Sequence, residues 1–179
     1  MSRRLGGVAV LVCIALALTA CSAQSSWFEP RTPTESIQAS TPCPASVGKA
    51  RDVRNPDAVS GRLLPDGEKA SAGLICIYQG PLQPTQGVRQ IVLDGDAAQR
   101  LASAVSQVSL QAPPAGGVNC PMDDGKFAII ALRFAGSTRS NLWWDMTGCQ
   151  TLDNGTVGAT QIANPSFEKF SDAIAALTR

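Results

Sequence analysis

Two short apolar runs, LICIY at 74–78 and VRQIVL at 88–93, stand apart across the turn-rich QGPLQPTQG. Their β-branched content and their Gly and Pro borders predict two strands. The period then lengthens. In DGDAAQRLASAVSQV, Leu101, Val105 and Val108 fall on one helical face, with Asp94 or Asp96 as N-cap and APPAGG at 112–117 as the stop. Strand patterning returns in KFAIIALRF at 126–134 and NLWWDMT at 141–147, turned by AGSTRS. LDNGTV carries an Asn-Gly hairpin signal that allows one short further strand. Asn164-Pro165 opens a last helix as N-cap and first-turn proline, and Phe167, Phe170, Ile174 and Leu177 line its apolar side.

Strand, strand, helix, then strand, strand, a short strand and helix predict an α+β domain over residues 43–179. The expected packing is a largely antiparallel sheet with both helices on one face. Alternation places Leu142, Trp144 and Met146 on the core face. Trp143, Asp145 and Thr147 then share the other face, which is expected to be more open. Trp143 with Asp145, joined by Arg133 from the neighbouring strand, is the candidate binding face. An aromatic beside charges on an open sheet can stack on sugar rings or pack against a protein; the competing reading is a tryptophan packed beneath its own loops.

Upstream of the domain the pattern is different. Arg3 and Arg4 precede an uncharged apolar run over residues 5–20, the layout of a secretory signal peptide. Sixteen residues fall short of the ~20 that span a bilayer. Leu18-Thr19-Ala20-Cys21 resembles the bacterial lipobox. That resemblance implies cleavage before Cys21 by signal peptidase II, and a diacylglycerol on the Cys21 thiol that anchors the chain to the outer face of the cell membrane. Residues 22–42 hold eleven Ser, Thr or Pro in twenty-one positions, too polar to bury a core. They are expected to form a tether with an r.m.s. span of roughly 25 Å. Trp27-Phe28 either dips into the membrane interface or rides in that tether.

Without residues 1–20 the chain carries 13 basic and 14 acidic residues and no basic patch, which argues against nucleic acid as a partner. Four cysteines remain in the domain: Cys43, Cys76, Cys120 and Cys149. Their intervals of 33, 44 and 29 residues, with no histidine anywhere in the chain, fit two disulfides rather than a zinc site. Cys120 and Cys149 bracket the expected 126–147 hairpin, so they are paired, leaving Cys43 with Cys76.

The domain resembles a recurrent, functionally uncharacterised domain of actinobacterial secreted proteins and lipoproteins. The residues that carry the resemblance are LLP at 63–65, Cys76-Ile77-Tyr78, LDGDAAQRLA at 93–102, Cys120-Pro121, and Gly148-Cys149 leading to Asn154-Gly155. It implies an exported, disulfide-linked domain and no activity. Relatives often carry arginine where Ile77 stands here.

Catalytic chemistry has little to work with. The absence of histidine removes Ser-His-Asp and Cys-His systems and His-ligated metals. Ser46-Val47-Gly48-Lys49 and Ser166-Phe167-Glu168-Lys169 satisfy Ser-x-x-Lys but lack the companion motifs of penicillin-recognising enzymes. Gly48-Lys49 lacks the earlier glycine of a phosphate loop. Asp94-Gly95-Asp96 begins like a calcium loop, but Ala98 takes the next ligand position, and Asp123-Asp124-Gly125 reads as a solvated turn. No cofactor, metal or catalytic residue is expected. The sequence therefore predicts a lipid-anchored envelope protein presenting a binding or assembly domain to an envelope protein or glycan. The alternative is an envelope hydrolase using Ser-Lys or carboxylate chemistry.

Overall fold

A computed structural model describes residues 38–39, 42–45, 61–80, 87–111 and 119–178. The expected leader, Cys21, nearly all of the expected tether and the Ser46-to-Lys49 tetrapeptide lie outside the described residues.

Strand β1 (Ala70–Tyr78) is the pivot of the sheet, because it is paired on both sides. Its first half, Ala-Ser-Ala-Gly, has weak strand propensity. It is nonetheless extended, because β3 (Phe127–Phe134) holds Ala70, Ala72 and Gly73, and β2 (Arg89–Leu93) joins from Gly73 onward. Gly73 fits where they meet. A Cβ there would lie 3.0 Å from Leu93 and 3.1 Å from Leu132.

The chain leaves β2 through helix α1 (Gly95–Ser106) and re-enters at β3, beyond β1. β2 and β3 thus run parallel with β1 between them, a split β-α-β crossover. Of the two candidate caps, Asp94 does the capping, its carboxylate accepting the Ala97 N–H at 2.8 Å. Asp96 sits in the first turn, where a negative charge favours the helix dipole. α1 stops at Ser106, ahead of the proline-glycine stretch expected to end it. The chain is captured instead at Ser109, whose N–H donates to Ser166 Oγ at 2.8 Å and whose C=O accepts Asn164 Nδ2 at 2.9 Å.

β3 turns into β4 (Arg139–Asp145), which pairs with β5 (Thr151–Asp153), then β6 (Gly158–Thr160), and α2 (Pro165–Thr178) closes the chain. The sheet order is β2-β1-β3-β4-β5-β6, antiparallel throughout. The expected α+β architecture with both helices on one face is what forms. The Asn-Gly segment gives two short strands instead of one. Gly155 takes φ +88°, but Asn154 is not the second left-handed residue of a two-residue turn. Its side chain is an acceptor within the turn, taking the Thr156 and Val157 N–H groups at 2.9 Å each.

The main core lies between helices and sheet. Leu101 and Val105 of α1 and Phe167, Phe170 and Ile174 of α2 pack on Ile75, Ile77, Ile130, Leu132, Leu142, Trp144 and Leu152. Trp144 meets Phe170 edge-on at 5.2 Å between ring centroids. Met146 is half-buried against the same cluster, so the predicted core face of β4 holds. Cys43 pairs with Cys76 and Cys120 with Cys149, at Cα separations of 5.6 and 4.8 Å, both within the range a disulfide bridges. The pairing follows the hairpin argument.

Candidate functional site

On the sheet face away from the helices, register sets three aromatic residues in a row. Tyr78 pairs with Phe127 across β1 and β3, and Ile129 pairs with Trp143 across β3 and β4. The rings stack: Tyr78 on Phe127 at 4.8 Å and Phe127 on Trp143 at 4.1 Å. Leu74, Cys76, Ile129 and Ala131 complete a second apolar cluster beneath them. Cys43 is tied down on this face. Its N–H donates to Gln90 Oε1 at 2.9 Å, and the Tyr78 hydroxyl donates to the Pro44 carbonyl at 3.2 Å.

This arrangement corrects the expectation of an open recognition face. Trp143 is only 6% exposed, against 7% for Trp144 on the helix side. Its indole N–H donates to Asp145 Oδ1 at 2.7 Å, and the other carboxylate oxygen accepts the Thr151 hydroxyl. Ring and carboxylate are therefore engaged inside the fold. Arg133 is exposed on the same face, but it lies four residues along β3 from Ile129, the partner of Trp143. At ~3.3 Å per residue that is about 13 Å. The structure joins Trp143 to Asp145 and leaves Arg133 apart. Period-two alternation identified the face; nothing in it reported the second layer, because Tyr78 and Phe127 come from other strands.

The helical Ser-Lys pair does not meet either. Ser166 donates its hydroxyl to Asn164 Oδ1 and accepts the Ser109 N–H, while Lys169 Nζ donates to Gln107 Oε1 at 3.4 Å. Asn164 likewise serves as a bridge between α2 and the exit of α1, in addition to preceding Pro165.

Asp123 and Asp124 form the expected turn with further anchoring. Asp123 Oδ1 accepts the Gly125 N–H at 2.8 Å and Asp124 Oδ1 the Lys126 N–H at 2.9 Å. Both accept the Thr147 hydroxyl, at 2.8 and 2.9 Å. The Lys126 N–H, with help from Thr147, holds the Asp124 carboxyl below the ordinary aspartate range. Among the described residues no group of three or more His, Cys, Asp or Glu is placed to hold a metal ion.

A concave surface lies elsewhere, unsignalled by any motif. An open cleft of about 380 Å³ runs between α1 and the 64–69 segment, with Leu64, Phe134, Gln99, Ser103 and Glu68 in its walls. Glu68 is drawn toward the β3–β4 turn, where Oε1 accepts the Thr138 hydroxyl at 3.0 Å. The cleft has a mixed lining and no convergent set of reactive groups. Comparison of the chain with known protein families, with curated proteins and with solved structures returns no match.

Proposed function

We propose that this chain is an exported lipoprotein, anchored by a diacylglycerol on Cys21, that presents the 43–179 domain at the outer face of the cell membrane as a binding or assembly module. The observation that carries this reading is the tetrapeptide Leu18-Thr19-Ala20-Cys21 at the end of an uncharged apolar run behind two arginines. Two cysteine pairs at bridging distance support it, since disulfides persist in oxidising compartments. The resemblance to an actinobacterial secreted and lipoprotein domain belongs to the same reading. Among the described residues no helix is long and apolar enough to cross a membrane. Attachment through lipid needs none: two or three acyl chains hold stably at ~0.8 kcal/mol per buried methylene.

Docking of a glycan or a protein on the Trp143 face rested on an exposed indole, and Trp143 is inside the fold, so the binding role is not assigned to that face. Acyl labelling of the wild-type chain and of Cys21→Ala tests the anchor: label is expected on the first and lost from the second, and equal labelling would remove the proposal.

A further inference from the structure

We propose that Cys120–Cys149 is a surface thiol–disulfide exchange site, opened by a dithiol reductant and closed again by the disulfide form of such a couple while the domain stays folded, and that Cys43–Cys76 is a permanent staple. The two bridges differ in what an attacking thiolate meets. Cys76 is 0% exposed in the middle of β1, with Gln90 and Ile129 as its strand neighbours, and Cys43 is half-buried over the same apolar cluster. A thiolate must approach along the S–S axis. At Cys76 the packed cluster blocks it. At Cys43 the departing group would be a Cys76 thiolate formed among Leu74, Tyr78 and Trp143, where burial disfavours the charge.

Cys120 is exposed and Cys149 half-exposed, and neither lies in a strand or helix. Attack on Cys120 Sγ forms a mixed disulfide and releases Cys149 as a thiolate within reach of water. The reductant's second thiolate then attacks its own mixed-disulfide sulfur. Cys120 leaves as a thiolate, the dithiol departs as a disulfide, and two electrons have passed to the protein.

Opening this bridge leaves its neighbourhood held. The Met146 N–H donates to Lys126 O at 2.9 Å, the Thr147 hydroxyl donates to Asp123 and Asp124, and Phe127 stays paired with Asp145. The bridge closes a hairpin mouth that hydrogen bonds already close.

Timed reduction of the full oxidised chain in mild detergent with dithiothreitol tests this. Dithiothreitol is chosen because it carries no charge beyond the attacking thiolate, and the Asp123 carboxylate lies against Gly148 beside Cys149. Iodoacetamide quenching and peptide mapping should find Cys120 and Cys149 alkylated at least about tenfold faster than Cys43 and Cys76. The near-ultraviolet circular dichroism of the tryptophans should persist as they react, and in 6 M guanidinium, a concentration at about the level that unfolds even hyperstable domains, the two rates should converge. Equal native rates, earlier opening of Cys43–Cys76, loss of the tryptophan signal in step with Cys120–Cys149, or a rate gap that survives unfolding would each overturn the proposal.

Discussion

Trp143 and Asp145, two residues apart on one strand, are joined by a 2.7 Å hydrogen bond from indole to carboxylate, with the ring stacked on Phe127. A tryptophan in this setting serves the fold. The neighbouring Trp144 is equally buried on the opposite face, but its indole N–H has no acceptor among the described residues.

Truncating either tryptophan should therefore cost a similar amount. Trp143→Ala and Trp144→Ala are each expected to lose ~3–5 kcal/mol by chemical denaturation, the usual cost of a large core cavity. Phenylalanine separates them. Trp143→Phe removes a hydrogen bond and leaves Asp145 Oδ1 without its donor, whereas Trp144→Phe removes an unpaired donor, so the first should cost ~1 kcal/mol more. A Trp143→Ala variant as stable as the wild type would restore the open-face picture.

Asn154, 2% exposed, ties the β5–β6 turn to the 62–63 segment. Its Nδ2 donates to the Arg62 and Leu63 carbonyls at 2.8 and 3.3 Å, while its Oδ1 serves the turn. Asn154→Asp keeps the acceptors and forfeits the donors, placing a carboxylate near two backbone carbonyls, the Leu63 one buried. A loss of ~2–3 kcal/mol is expected, read from a thermal melt beside the wild type.

Gly80 passes so close to the aspartate turn that a Cβ built on it would lie 1.5 Å from the Asp124 carbonyl oxygen. Backbone stands in the way, so no rotamer change relieves the overlap. Gly80→Ala should lower the melting temperature by several degrees, roughly the effect of 1–3 kcal/mol in a domain of this size. An unchanged melting curve would mean that the 123–125 turn yields freely.

The depressed pKa of Asp124 has a definite sign in pH dependence. Its carboxylate form is favoured in the folded state, so its contribution is present above the unfolded aspartate pKa and is lost as pH falls through the lower folded value. Thr147→Val removes one of the causes, and an NMR titration of Asp124 should move upward toward the ordinary range. A titration that does not move would leave the shift to the Lys126 N–H, with the Lys126 charge and the Asp124 backbone beside it.

Much of this fold was legible in residue order. The two helices, four main strands, shared helix face and cysteine pairing all follow from period, caps and the bracketed hairpin. What escaped has a common cause. The first half of β1 is extended by pairing with β3, which β2 joins only at Gly73, not by its own Ala-Ser-Ala-Gly. α1 ends where Ser109 is captured from α2, 57 residues away in sequence. Trp143 is buried by residues from other strands, which alternation along β4 cannot report. The candidate face was therefore located correctly on the sheet and misjudged in exposure.

The account rests most heavily on the fate of the first twenty-one residues. Mass spectrometry of the N-terminal peptide from membrane-extracted protein measures it directly. The account predicts a chain beginning at Cys21, with the thiol carrying a diacylglyceryl mass. A chain that retains residues 1–20, or one that begins at another residue with an unmodified Cys21, would contradict it.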